Sequence, residues 1–137
     1  MLSYLFIGAN DVALSGHFYR AVLLPLGYLA EPDGEQLIFS LPEVPDRQNG
    51  PGAVYIAKPW NGEAAQPGNG HMAGFRAPTR QMIDELYAAG LRAGGTDEGA
   101  PGIRERYNPN FYVAYLRDPA GNKLALFCND DPAYASV

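Results

Sequence analysis

The chain is 137 residues long, 47% apolar, and carries a net charge of −5. That length suits one domain with a real core, and the apolar fraction is that of an ordinary globular protein. The acidic balance, with an isoelectric point of about 4.8, argues against the basic face that a nucleic-acid partner needs, and the lone Cys128 rules out an internal disulfide and a thiolate metal cluster.

Leu2 to Ile7 is a short apolar run and predicts a strand. It starts without a basic leader or a small-residue cleavage site, so a cytoplasmic protein is expected. Asp11 offers a side-chain oxygen to the first free N–H groups of a helix. Val12, Ser15, Phe18, Tyr19, Val22, Leu23 and Leu26 then recur at helical spacing as one buried stripe. His17, Arg20 and Pro25 make this stretch too mixed to span a membrane. Pro25 limits the helix, and Gly27 suits a left-handed residue after it. Strands near Tyr28 to Ala30 and Gln36 to Leu41 follow, joined by Pro32-Asp33-Gly34. A loop marked by Pro42, Pro45 and Asn49-Gly50 leads to a strand at Ala53 to Ala57.

Trp60 to Gly70 is rich in Gly, Pro and Asn and reads as a linker. His71 to Arg76 predicts the next strand. Thr79 caps a helix whose stripe is Met82, Ile83, Leu86, Tyr87 and Leu91, ended by Gly94-Gly95. Gly99, Pro101 and Gly102 open a long loop that also carries Arg104, Glu105, Arg106 and Tyr107. Phe111 to Arg117 and Lys123 to Phe127 form a hairpin about Asp118-Pro119-Ala120-Gly121-Asn122.

The two halves repeat. Tyr19 and Tyr87 are 87 − 19 = 68 residues apart, and the same offset links Ile7 to Phe75, Asp11 to Thr79, Phe18 to Leu86, Leu23 to Leu91 and Gly27 to Gly95. So long a period means two copies of one module. The expected fold is α+β: two β-α-β-β-β modules, residues 1–57 and 71–137 with a linker at 58–70, forming one curved mixed sheet around a central cleft.

In this order the motifs resemble a known family. The carriers are Asn10-Asp11, His17-Phe18-Tyr19 with Leu23, Pro25, Leu26, Gly27 and Tyr28, then Gly68-Asn69-Gly70, Ala77-Pro78-Thr79-Arg80, the run Gly94 to Gly102, and Tyr112 to Cys128 through Asp118-Pro119 and Gly121-Asn122-Lys123. Together they resemble the vicinal oxygen chelate superfamily of glyoxalase I, bleomycin-resistance proteins and extradiol dioxygenases, over almost the whole chain. The resemblance implies a homodimer.

It also implies where a divalent ion would sit in the family's metal enzymes, which use His and Glu side chains converging into the cleft. Carried over position by position, those places are Tyr4, Tyr55, Met72 and Ala125. None is a usual ligand for an ion that needs N or O donors at about 2.0–2.2 Å. His71 lies one residue from the expected place, and strand alternation turns it to the other face. His17 reads as a packing or partly exposed residue. No metal and no cofactor are therefore expected.

Other chemistry is equally thin. There is no nucleophile elbow, phosphate loop or dinucleotide fingerprint, and Cys128 reads as a small apolar filler. The residues left to line a cleft are Tyr4, Phe6, Tyr55, Met72, Tyr115 and Ala125, the mix of aromatics and Met that small-molecule sites use, although a packed core draws on the same types. Arg104 could clamp an anion. Tyr107 or Tyr112 could donate a hydrogen bond, the alternative being a solvated loop with an internal Arg–Glu pair. The ligand-binding candidates are thus Tyr4, Phe6, Tyr55, Met72, Arg104, Tyr112, Tyr115 and Ala125, and the catalytic candidates Tyr4, Arg104 and Tyr107. The expected function is metal-free binding of a small ligand, with no nucleic-acid or membrane partner. The alternative is a divergent lyase, isomerase or dioxygenase acting on a small organic substrate.

Overall fold

The computed structural model describes residues 1–129; the tail 130–137, which the sequence assigns to the second module, lies outside the described residues. Module one runs β1 (Tyr4–Gly8), α1 (Val12–Leu23), a 3-10 turn (Leu24–Leu26), β2 (Leu29–Asp33), β3 (Gln36–Ser40) and β4 (Ala53–Ala57). Module two runs β5 (Ala73–Arg76), α2 (Arg80–Arg92), β6 (Thr96–Ile103), β7 (Phe111–Arg117) and β8 (Lys123–Asn129). Hydrogen bonding divides the eight strands into two four-stranded mixed sheets, in the orders β1-β4-β3-β2 and β5-β8-β7-β6. In each, the first strand pairs parallel with the last, and the remaining pairs are antiparallel.

The repeat holds at the level of single bonds. Asp11 accepts from the Leu14 N–H at 3.0 Å, and Thr79 accepts from the Met82 N–H at 3.1 Å, so both helices are capped alike. The Ala9 N–H donates to Ala57 O, and the Ala77 N–H to Phe127 O, each at 2.8 Å. α1 packs on β3 and β4, α2 packs on β6, β7 and β8, and the two helices meet. One apolar core results, with Phe18, Tyr19 and Val22 from α1, Ile83 and Leu86 from α2, and Ile56, Phe75, Leu116 and Leu126 from the sheets.

Two features depart from the sequence reading. The Gly- and Pro-containing segment after α2 is a strand, β6, and not a loop. Register shifts between Asp97 and Gly99 and between Gly99 and Gly102 absorb its irregular residues, and its place at the sheet edge suits Pro101, which has no ladder N–H to give. Leu91 is exposed, while Gly90 is buried in its place. α2 lies so close to β7 and α1 there that a Cβ on Gly90 would lie 2.7 Å from Leu116 Cδ1 and 3.3 Å from Phe18 Cε2.

The modules are tied by a buried polar group. Asp118 is 3% exposed, and its carboxylate accepts from the Tyr19 hydroxyl at 2.7 Å, from Asn122 Nδ2 at 2.9 Å and from the backbone N–H groups of Ala120 and Asn122, both at 2.9 Å. Asn122 Nδ2 also reaches Gly8 O at 2.9 Å, so the hairpin turn of module two holds the end of β1. A carboxylate this buried is tolerable only because its lone pairs are filled. Burial first, and then the Asp118 charge, push the Tyr19 hydroxyl well above its ordinary pKa. No described helix is long and apolar enough to cross a membrane.

Candidate ligand-binding site

Each sheet has one face against the helices and one turned away from them. On β1 and β4 the core takes Ile7, Val54 and Ile56, so alternation puts Tyr4, Phe6 and Tyr55 on the open face. Phe6 and Tyr55 are direct cross-strand partners, and the rings of Tyr4 and Tyr55 meet edge-on at 5.4 Å. Tyr4 and Phe6 are 51% and 52% exposed, so this aromatic face is accessible and not core. The Tyr55 hydroxyl is taken up by the loop before β4. It lies 2.7 Å from Asn49 Oδ1 and 2.9 Å from Gln48 O, and the desolvation there raises its pKa.

On module two the core takes Phe75, Leu124, Leu126, Ala114 and Leu116. The open face therefore carries Gly74 and Arg76 on β5, Lys123, Ala125 and Phe127 on β8, and Tyr115 and Arg117 on β7. Ala125 stands between Gly74 and Tyr115 in the strand register. The sequence names it as a cleft-lining residue, and in the structure it is only 3% exposed. The Tyr115 ring has Lys123 Nζ 5.0 Å from its centre and the Arg104 guanidinium 5.7 Å from it. Arg104 donates to Ala100 O at 2.8 Å. It folds over Gly99 and Gly102, where a Cβ would come within 3.3 and 3.1 Å of its nitrogens. Arg76 lies over the Phe127 ring at 4.9 Å.

A cleft of about 530 Å³ is lined by the linker end Pro67 to Gly70, by His71 and Met72, and by Arg117 and Lys123. Met72 and His71 line it together, since β5 begins only at Ala73 and alternation does not yet apply at these two residues. Arg117 donates from Nε to Glu98 at 2.7 Å and from Nη1 to Gly121 O at 2.8 Å.

The expected residues thus fall into two groups, Tyr4 with Phe6 and Tyr55, and Met72, Tyr115, Ala125 and Arg104 around Lys123. Two candidates join neither. Tyr112 is on the helix side of β7, where its hydroxyl donates to Asp84 at 2.6 Å and is raised in pKa by that bond; Arg80 covers its ring. Tyr107 stands 63% exposed on the β6–β7 turn against Phe111. His17 is exposed on α1 and Cys128 is buried in the core. Arg76, Lys123 and Phe127 were not singled out from the sequence, although the alternation that places Tyr4 with Phe6 places these three with Ala125.

The positions that would hold a metal in the family's enzymes do not fit one. Ala125 has no donor atom, Met72 offers a thioether, and the Tyr55 hydroxyl is engaged by Asn49 and Gln48. Among the described residues no three His, Cys, Asp or Glu side chains converge to hold an ion.

No protein-family model matches the chain, and no curated protein matches it. Solved structures do. A glyoxalase/bleomycin resistance protein from Albidiferax ferrireducens T118 is 35% identical, with a TM-score of 0.77 over 91% of this chain and 95% of that one. A glyoxalase-related enzyme from Fulvimarina pelagi is 16% identical, with a TM-score of 0.69 over 93% and 86%. Lactoylglutathione lyase from Agrobacterium tumefaciens is 20% identical, with a TM-score of 0.61 over 93% and 92%. The last two likenesses are of fold alone.

Proposed function

The chain belongs to the glyoxalase/bleomycin resistance/dioxygenase family, and from that premise we propose that it is a metal-free binder of a small organic ligand, acting in the cytoplasm as a homodimer. The observation that carries this reading is the residue set Tyr4, Tyr55, Met72 and Ala125 at the four metal places. It exchanges ion donors for side chains that hold no ion, of which the half-exposed Tyr4 and Met72 give the aromatic and apolar contact surface that a small-molecule site uses, while Ala125 is buried. Tyr4 and Phe6, half exposed on the open face of module one, supply the surface that a ligand or a second copy would cover. The enzymatic alternative would rest on Tyr4, Arg104 or Tyr107. Arg104 is already held by Ala100 O and the Tyr115 ring, which favours a positioning or binding role over proton transfer.

The test is a calorimetric titration of small organic ligands, found by thermal-shift screening, into the wild-type protein and into Tyr4→Ala and Met72→Ala. Both side chains are exposed, so their loss should change stability by no more than about 0.5 kcal/mol. Saturable binding to the wild type that weakens in either variant supports the reading. A broad screen without a saturable binder, or a binder indifferent to both substitutions, contradicts it. Sedimentation at micromolar concentration should give a dimer, and a monomer there would remove the oligomer from the proposal.

A further inference from the structure

Arg117 and Lys123 are direct cross-strand partners on β7 and β8, on the same face, and both line the 530 Å³ cleft. Like charges placed opposite one another destabilise a sheet, and here they do so in a chain whose net charge is −5. Glu98 compensates Arg117, pairing with its Nε at 2.7 Å. No carboxylate among the described residues pairs with Lys123, whose ammonium lies over the Tyr115 ring. Among the described residues the cleft wall therefore carries an ammonium with no carboxylate beside it, next to a guanidinium whose Nη2 is not taken up by Glu98 or Gly121. Met72 adds an apolar wall to the same cleft, and the Tyr115 ring lies just behind that lining, under the Lys123 ammonium.

Resting on the reading that the protein binds a small organic ligand, we propose that this cleft holds the carboxylate of a small planar organic acid. Lys123 Nζ and Arg117 Nη2 would take the carboxylate, and Met72 and the Tyr115 edge the flat body. The carboxylate of an aromatic acid lies in the plane of its ring and so reaches both donors while the flat body lies along Met72, which a tetrahedral phosphate ester does less well. Charge-assisted hydrogen bonds of this kind are about twice as strong as neutral ones.

Calorimetry with three probes of one shape tests this: 2-naphthoate, the neutral 2-naphthamide and 2-naphthyl phosphate. The expected result is that naphthoate binds at least about tenfold more tightly than the amide, and that Lys123→Gln removes that advantage. Lys123→Glu should abolish naphthoate binding. Two outcomes overturn the inference and leave the ligand-binding reading standing: amide and acid binding equally, or naphthoate binding unchanged in Lys123→Gln. Tighter binding of the phosphate than of the carboxylate also overturns it. If none of the three binds the wild type while a screened ligand of another class does, the carboxylate assignment is wrong and the broader reading survives; if nothing binds at all, both fall.

Discussion

The two modules share their helix side and differ on their open side. Against the helices, position answers position: Asp11 and Thr79 cap, Ile7 and Phe75 pack, and the first strand of each module pairs in parallel with the last. On the open side, Tyr4, Phe6 and Tyr55 of module one face Met72, Gly74 and Ala125 at the equivalent places of module two, with Arg76 and Lys123 nearby. One face is aromatic on β1 and β4, with Glu31 and Asp33 at its β2 edge, and the other is small-floored and cationic. The core constrains the first set, because packing to native density punishes any change of volume. The open face carries no such burden and is free to specialise. The repeated tyrosines are an exception on the helix side: Tyr19 is buried on Asp118 across the modules, and Tyr87 bonds Asp97 at 2.7 Å on the surface of its own module.

That contrast sets the largest expected effect. Asp118→Ala would leave the Tyr19 hydroxyl and the turn N–H groups without their acceptor, at a cost of about 3 kcal/mol. Tyr19→Phe should cost roughly 1–3 kcal/mol, and Tyr87→Phe no more than about 0.5 kcal/mol. Equal losses for the two tyrosines in urea denaturation would erase the distinction. The Tyr19 proton also gives a pH signature. Its pKa is raised above 10.0 in the folded state, so its stabilisation is full below that pH and is lost as pH climbs toward the folded value. Urea midpoints should fall above about pH 10, and less steeply in Tyr19→Phe.

The paired glycines come next. A Cβ on Gly95 would meet Phe18 Cε2 at 2.5 Å, Gly90 O at 2.8 Å and Arg117 O at 3.1 Å, so Gly95→Ala should cost roughly 1–3 kcal/mol by overpacking. Gly27, at φ +94° with open space around it, should cost about 1 kcal/mol as Ala, from backbone conformation alone. If a compensating core substitution of Phe18 by a smaller residue rescues Gly27→Ala as well as Gly95→Ala, the two reasons are not distinct. The caps come last. Asp11→Ala and Thr79→Ala should each lower stability by about 1 kcal/mol, and an unchanged unfolding midpoint in both would undercut the equivalence of the modules.

Helices, caps and the duplication could be read from residues because they depend on local spacing: Asp11 and Thr79 announce a free N–H, and Phe18 and Tyr19 sit on one stripe. β6 was hidden because Gly99, Pro101 and Gly102 carry loop chemistry, and only pairing with β7 makes them a strand. Gly90 was missed for a related reason, since its burial comes from the approach of Phe18 and Leu116, far away in sequence. In the site, the aromatic half was visible through alternation at Tyr4 and Phe6. The cationic half was not, because Arg76 and Lys123 look like ordinary solvated charges until the register puts them beside Phe127 and Arg117. Tyr112 misled because a strand tyrosine can point either way, and Asp84 decides the direction.

The central claim is that the family's metal places have been given over to ligand contact. Elemental analysis of the purified protein tests it most directly. The account predicts zinc, iron, manganese and nickel all far below one per chain, with no gain on incubation with each ion followed by desalting. A value near one ion per chain that disappears in Tyr4→Phe would contradict it.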